Sequence, residues 1–331
     1  MRVLFSILLL FVSTVVAHAN DSAAEIALGG LTLVPSGSIS LDAEDLYISK
    51  EEVRVEYRFT NTADKDVETL VAFPLPDQVP DDSGDVVFAD MRGDLNFRTL
   101  VDGKPVTYDV VEQALVGGKD VTKRVTEIGL SLNSTADWEG FQAKMKAMAE
   151  ADRKALLGEG VVSSYGNETE AVYQPMWTLR TSVTRQQVFP AGKTVSVQHR
   201  YRPLAGGSVG GNLNPEHRNA DWSKEYGARS CIDDDFYRAF DKALKARKSE
   251  DNPSPYSEVW LGYVLKSGAN WKGPIKDFRL VVDKGKPENL VSFCAEGVKK
   301  IAPTQFEVRK TDFEPKDDLL VMIVEWYGEE E

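Results

Sequence analysis

Histidine and cysteine, the side chains that most often ligate metals or act as nucleophiles, are scarce in this 331-residue chain: three of the first and two of the second. No second histidine or cysteine lies at metal spacing from His217, and no Cys-x-x-Cys occurs, so zinc and dithiol redox chemistry lack their donor sets. Beyond residue 16 no stretch reaches the eighteen or so apolar residues that cross a bilayer as a helix. Lysine and arginine are scattered rather than clustered, and the formal net charge is −13. Such a chain repels phosphate backbones and anionic membrane surfaces, so neither nucleic-acid binding nor membrane insertion is expected.

What is present begins with a leader. Met1-Arg2, an apolar run from Val3 to Val16, and Ala17-His18-Ala19 form the charged start, apolar middle and small-x-small cleavage site of a secretory signal. Cleavage is expected after Ala19, and no cysteine follows that point to take a lipid anchor. Losing residues 1–19 removes a single charge, Arg2, and leaves the chain still more acidic. In an oxidising compartment Cys231 and Cys294 read most simply as one disulfide. Closing a loop of about 64 residues is worth about 4 kcal/mol on the chain-entropy argument. The alternative, a reactive thiol at Cys231 just before a helix start, is disfavoured because a free thiol does not persist in that compartment.

The remaining pattern is mainly β. Val53 to Phe59 alternates apolar and charged residues without a miss, Asn61 to Asp66 is a polar turn, and Val67 to Phe73 returns before Pro74, so the two strands predict a hairpin. Trp177 to Val183 and Val195 to Tyr201 repeat the alternation, whereas Val259 to Leu265 and Leu319 to Val324 are apolar on both faces, as central strands are. Between residues 120 and 160 the period becomes helical, with Val121, Val125, Ile128 and Leu132 on one stripe and Trp138, Phe141, Met145 and Met148 on another. Ser134 and Asp137 suggest a helix start, and Gly158 a stop. A further helix is expected over about 234–248, with its acids first and its bases last. The architecture expected is two β-sandwich-like lobes: residues 20–205, carrying the helical insertion 120–160, and residues 206–331, with a glycine-rich linker from Ala205 to Gly211.

Each candidate site has a plainer reading. Gly206-Gly207-Ser208-Val209-Gly210 matches the turn that presents a nucleophilic serine, but no helix follows and no acid and histidine come in the required order, so a flexible glycine loop is the better reading. The same glycines are not followed by Gly-Lys-Ser/Thr and make no phosphate loop. His199 shares a strand face with Val195, Val197 and Tyr201 and is expected to be a hydrogen-bonded core residue. Asp81 to Asp85 and Asp233 to Asp235 suit a solvated turn and a helix start better than a calcium loop. No metal and no cofactor is expected. Ligand contact, if any, is assigned to Ser208, Asn212, His217, Trp222 and Tyr226, because loops carry function and aromatic rings suit sugars or peptides.

Several stretches together resemble a bacterial exported family known as domain of unknown function 4424. They are Asn20-Asp21-Ser22, Gly29-Gly30-Leu31, Glu44 to Ser49, Phe73-Pro74-Leu75-Pro76, Phe189-Pro190-Ala191-Gly192 with His199-x-Tyr201-x-Pro203, Cys231, Trp271 to Phe278, and Ser292-Phe293-Cys294. The resemblance covers nearly the whole processed chain and implies a periplasmic protein without a known activity. Residues 50–115 are also similar to the vault/inter-alpha-trypsin domain, an all-β interaction module, although the metal motif of its partner domain is absent. The function expected is non-catalytic binding of another envelope protein or a glycan. A glycan hydrolase working through paired carboxylates is the alternative.

Overall fold

In the computed structural model of the chain, residues 22–27, 30–80, 95–134, 136–167 and 170–327 are described. The expected leader with its cleavage site and the acidic cluster Asp81 to Asp85 lie outside them. Strands β1 (Ser22–Ala27), β2 (Gly30–Val34), β3 (Ile39–Ile48), β4 (Val53–Asn61), β5 (Val67–Pro74), β6 (Arg98–Val101), β7 (Lys104–Pro105), β8 (Asp109–Val116) and β9 (Lys119–Asp120) precede helices α1 (Thr122–Glu127), α2 (Trp138–Ala147) and α3 (Glu150–Gly158). Next come β10 (Val162–Tyr165), β11 (Val172–Pro175), β12 (Thr178–Phe189), β13 (Thr194–Tyr201), β14 (Ala205–Ser208), α4 (Asp221–Arg229) and α5 (Asp234–Arg247). The chain closes with β15 (Tyr256–Tyr263), β16 (Ile275–Asp283), β17 (Leu290–Phe293), β18 (Lys299–Lys300), β19 (Gln305–Phe313) and β20 (Leu319–Trp326).

The mainly β expectation holds, with sheets packed as sandwiches. An eight-stranded sheet, β18-β19-β16-β3-β4-β13-β6-β7, lies opposite a six-stranded sheet, β2-β1-β5-β12-β8-β9, and a four-stranded sheet, β14-β15-β20-β17. The alternation of β4 puts Val53, Val55, Tyr57 and Phe59 fully inside. They meet Val71, Phe73, Val183 and Phe189 from the six-stranded sheet and Leu261, Val321 and Ile323 from the four-stranded one. Strands on both sides of residue 206 share the large sheet, because β16 runs parallel to β3 with Leu280 beside Leu46.

The expected hairpin is a correction. β4 pairs with β3 and β13, whereas β5 pairs with β1 and β12, so residues 61–66 arch from one sheet to the facing one. Asn61 holds the arch: fully buried, its side-chain amide donates to the carbonyls of Lys65 (2.8 Å) and Phe189 (2.7 Å) while its oxygen accepts from Ala63 N–H (2.9 Å). These bonds satisfy backbone groups of the connection and of the end of β12.

A second feature follows from a bulge. Register shifts between Leu41 and Ala43, so the inward positions pass from Ile39 and Leu41 to Glu44, Leu46 and Ile48. Glu44 is thereby carried into the apolar core, where Tyr263 donates to it (3.4 Å) and Tyr57 joins Tyr263 (2.9 Å). His199 is fully buried and bonded to Thr99 (3.0 Å), as its strand face implied.

The helical insertion has its own core, in which Val125, Phe141, Met145, Leu156 and Trp177 are buried. Asp137 caps α2 by accepting from Gly140 N–H and α3 ends at Gly158, but the single helix expected between those ends is broken, because Met148 and Ala149 take extended ψ angles of 145° and 140°. The first helix stops at Glu127, short of the expected stripe, because Gly129 takes a left-handed φ of 75° that breaks the α geometry. Asp233 accepts from Phe236 N–H and starts α5, as its acidic run predicted.

Candidate functional site

The two apolar-faced strands β15 and β20 sit in the middle of the four-stranded sheet. One face joins the main core; the other, with Tyr256, Trp260, Met322 and Val324, is covered by α4, α5 and the loop before them. Alternation places Glu258 on that covered face, fully buried. Tyr226 of α4 donates a short hydrogen bond to its Oε2, and Asn212 Nδ2 donates to the same oxygen at 3.1 Å. The indole N–H of Trp260 donates to the Tyr226 hydroxyl at 2.6 Å. Ser208 Oγ accepts from Gly210 N–H at 3.2 Å and lies 3.5 Å from Asn212 Nδ2. The structure thus brings together Ser208, Asn212 and Tyr226 around a carboxyl that sequence reasoning missed.

Burial holds the Glu258 carboxyl above the ordinary carboxylate range, against the opposing bonds from Tyr226 and Asn212. Burial, followed by the charge of Glu258, pushes the Tyr226 phenol well above its usual value. Glu258 Oε1 makes no hydrogen bond among the described residues, although the backbone amides of Asn212 and Leu213 face the carboxyl. The glycine run is what lets the loop close this tightly. Gly210 has φ 94°, and a Cβ there would stand 2.6 Å from the Tyr256 carbonyl oxygen. The stretch read as a linker begins as edge strand β14, where the Trp260 ring lies 3.2 Å from the Cβ position of Gly206. Being sealed from solvent, Glu258 has no face to offer a substrate, and its bonds clasp α4 and the loop to the sheet.

His217 and Trp222 are placed elsewhere, both exposed at the surface of the helical cap, with ring centroids 5.7 Å apart. His217 Nε2 stands 3.5 Å from the Glu216 carboxylate. Helix α4 itself had no apolar stripe to betray it. Its buried positions are Ser223 and Gly227, and at Gly227 a Cβ would come within 3.0 Å of the Tyr237 hydroxyl.

The accessible chemistry lies beside the cap. Cys231, in the turn between α4 and α5, is bonded to Cys294 just past the end of β17, with Cα atoms 5.0 Å apart. An open cleft of about 730 Å³ borders this bridge. Phe236 of α5, Val291 and Phe293 of β17, and Val298 and Phe306 beyond give it apolar walls, and Asp233 and Glu296 are its charged members. A volume of that order lies in the range of small-ligand sites. None of the five residues assigned to ligand contact lines this cleft; its aromatic walls are far apart in the chain and carried no local signal. Among the described residues no group of three or more His, Cys, Asp or Glu is placed to hold a metal ion.

Fold and cleft define a mainly β, disulfide-stapled protein with a helical cap, in which no described helix is long and apolar enough to cross a membrane. The chain belongs to the family described as domain of unknown function 4424, which it matches over residues 19–322. Comparison with the curated proteins finds none that matches. Among solved structures, it is similar to a Legionella pneumophila subsp. pneumophila str. Philadelphia 1 protein described only provisionally as nutrient binding. The identity is 14%, 92% of this chain and 72% of that one are covered, and the TM-score is 0.41.

Proposed function

We propose that this chain is exported, cut after Ala19, and serves in the bacterial periplasm as a non-catalytic protein that binds another envelope component through the cleft at the Cys231–Cys294 bridge. The observation that supports this reading is the cleft itself: open, apolar-walled and held in shape by a covalent bridge. Ser208, Asn212 and Tyr226 serve this site as scaffold, by fixing the cap against Glu258. His217 and Trp222 give the same cap an exposed aromatic face for secondary contact. The test uses the processed chain and its Val298→Lys variant, which alters an exposed cleft wall without touching the core. Both are mixed with an envelope extract of the producing bacterium and followed by hydrogen exchange. Protection of residues 290–298 in the parent protein and its loss in the variant is expected. No protection anywhere, or protection confined to the His217 and Trp222 face, would overturn the assignment.

A further inference from the structure

We infer that the cleft receives an extended peptide segment of a partner protein, added as a new strand to the outer edge of β17. This rests on the binding function just proposed and names the chemistry of the partner. Strand β17 has one neighbour, β20, and stands at the end of its sheet. Successive residues of a strand point to opposite faces, so a pocket on one face meets every second residue. Here Val291, Ser292, Phe293 and Cys294 all line the cleft, which places it off the strand's edge, alongside backbone groups that have no ladder partner.

Natural sheets protect such edges with lysine, proline or very short strands. Elsewhere in this fold that protection is visible: β18 is Lys299–Lys300, β9 is Lys119–Asp120, and β7 ends in Pro105. Strand β17 is Leu-Val-Ser-Phe and, like the edge strands β2 and β14, carries neither lysine nor proline; unlike them it borders the cleft. A recessed edge of that kind is suited to strand addition, in which the main chain supplies affinity and alternate side chains supply specificity.

The occupant's pattern follows from the two sides. Val291 and Phe293, with Phe306, belong to the main-core side, so one set of alternate ligand residues is apolar. Ser292 is held to the carbonyl of Ser230 on the helical side, where Asp233 opens the rim. Asp233 at that rim favours a cationic residue in the other set, whereas Glu296 stands 3.9 Å from Lys310. A second copy of this chain does not fit. Its own β17 is equally recessed between the start of α5 and Phe306, and two sunken edges cannot meet.

The probe is a displayed library of random ten-residue peptides screened on the full processed protein, followed by synthetic versions of those selected. Expected are sequences alternating apolar and basic residues, slowed exchange of the Val291–Phe293 amides, and at least tenfold weaker binding when alternate peptide N–H groups are N-methylated. The exposed Val298→Lys change, which removes an apolar wall and repels a basic peptide, should weaken binding by a similar factor without altering the thermal midpoint. Binding that tolerates N-methylation at every position overturns strand addition. A concentration-dependent dimer that protects β17 would replace the peptide with a second copy and also overturn it. If no peptide is selected while envelope extract still protects residues 290–298, the peptide inference falls and the binding function stands; if neither protects, both fall.

Discussion

Because burial raises the Glu258 carboxyl, the folded chain holds that proton more tightly than the unfolded chain does. Whatever stability this proton confers is present in full below the unfolded carboxyl's pKa, near 4.3 by the usual reference, and is lost as pH rises through the higher folded value. Glu258→Gln keeps the shape, can still accept from Tyr226 and cannot ionise. The stability of the parent relative to this variant is therefore expected to fall as pH is raised from about 4 to about 8. Parallel urea titrations of both proteins across that range check it, and a constant difference would refute a raised carboxyl. Asp42 has the opposite sign: burial favours its proton, but bonds from Lys276, Thr60 and Ser40 together outweigh that and leave it lowered. Its contribution is lost on acidification instead. That a glutamate lies inside was invisible at this scale of reading. In Tyr256 to Tyr263 it occupies a position whose burial depends on α4 and the loop, which come from thirty or more residues away in the chain.

At the scale of elements, the arch from β4 to β5 shows how one polar side chain redirects two strands. Both strands were legible from alternation alone, because a period of two is a local property. Their partners were not, since a six-residue polar connection serves a hairpin and an inter-sheet arch equally well, and the buried amide of Asn61 decides between them. Asn61→Ala leaves the Phe189 and Lys65 carbonyls and the Ala63 N–H without that partner. The Phe189 carbonyl is the one of these in a fully buried bond, and a buried group that loses its partner costs about 1–3 kcal/mol, so a loss of that order in urea unfolding is expected. Asn61→Asp, which retains the acceptor but not the donors, should lose stability as well. An unchanged midpoint for both would mean that the arch is held by something else. Helices α2 and α5 were legible from their caps and stripes. Helix α4 was not, because it packs through Ser223 and Gly227, where close backbone approach replaces an apolar stripe.

For the molecule as a whole, the bridge from Cys231 to Cys294 ties the turn between α4 and α5 to the end of the edge strand β17, across a sequence separation of 63. Removing it by paired Cys→Ser substitution is expected to cost about 4 kcal/mol on the loop-entropy argument. The measurement is the difference in urea unfolding free energy between the oxidised parent and the double variant. A cost near zero would show that the cap is held by the Glu258 clasp and the apolar contacts of Phe240 and Leu244 alone. The variant should also lose exchange protection first in residues 226–236 and 290–294, the two segments that the bridge joins.

The order of residues by itself determined the acidic charge, the alternating strands, the capped helices and the pairing of the two cysteines. All of these depend on neighbours in the chain or on simple counting. Only the tertiary structure decided that β4 and β5 face each other from different sheets, that Glu44 and Glu258 lie inside, and that Phe236, Phe293 and Phe306 wall a common cleft. Those outcomes require segments more than two hundred residues apart to meet, as Glu44 and Tyr263 do. Contacts at that separation are selected by the free energy of burying one shared core, which no local period records.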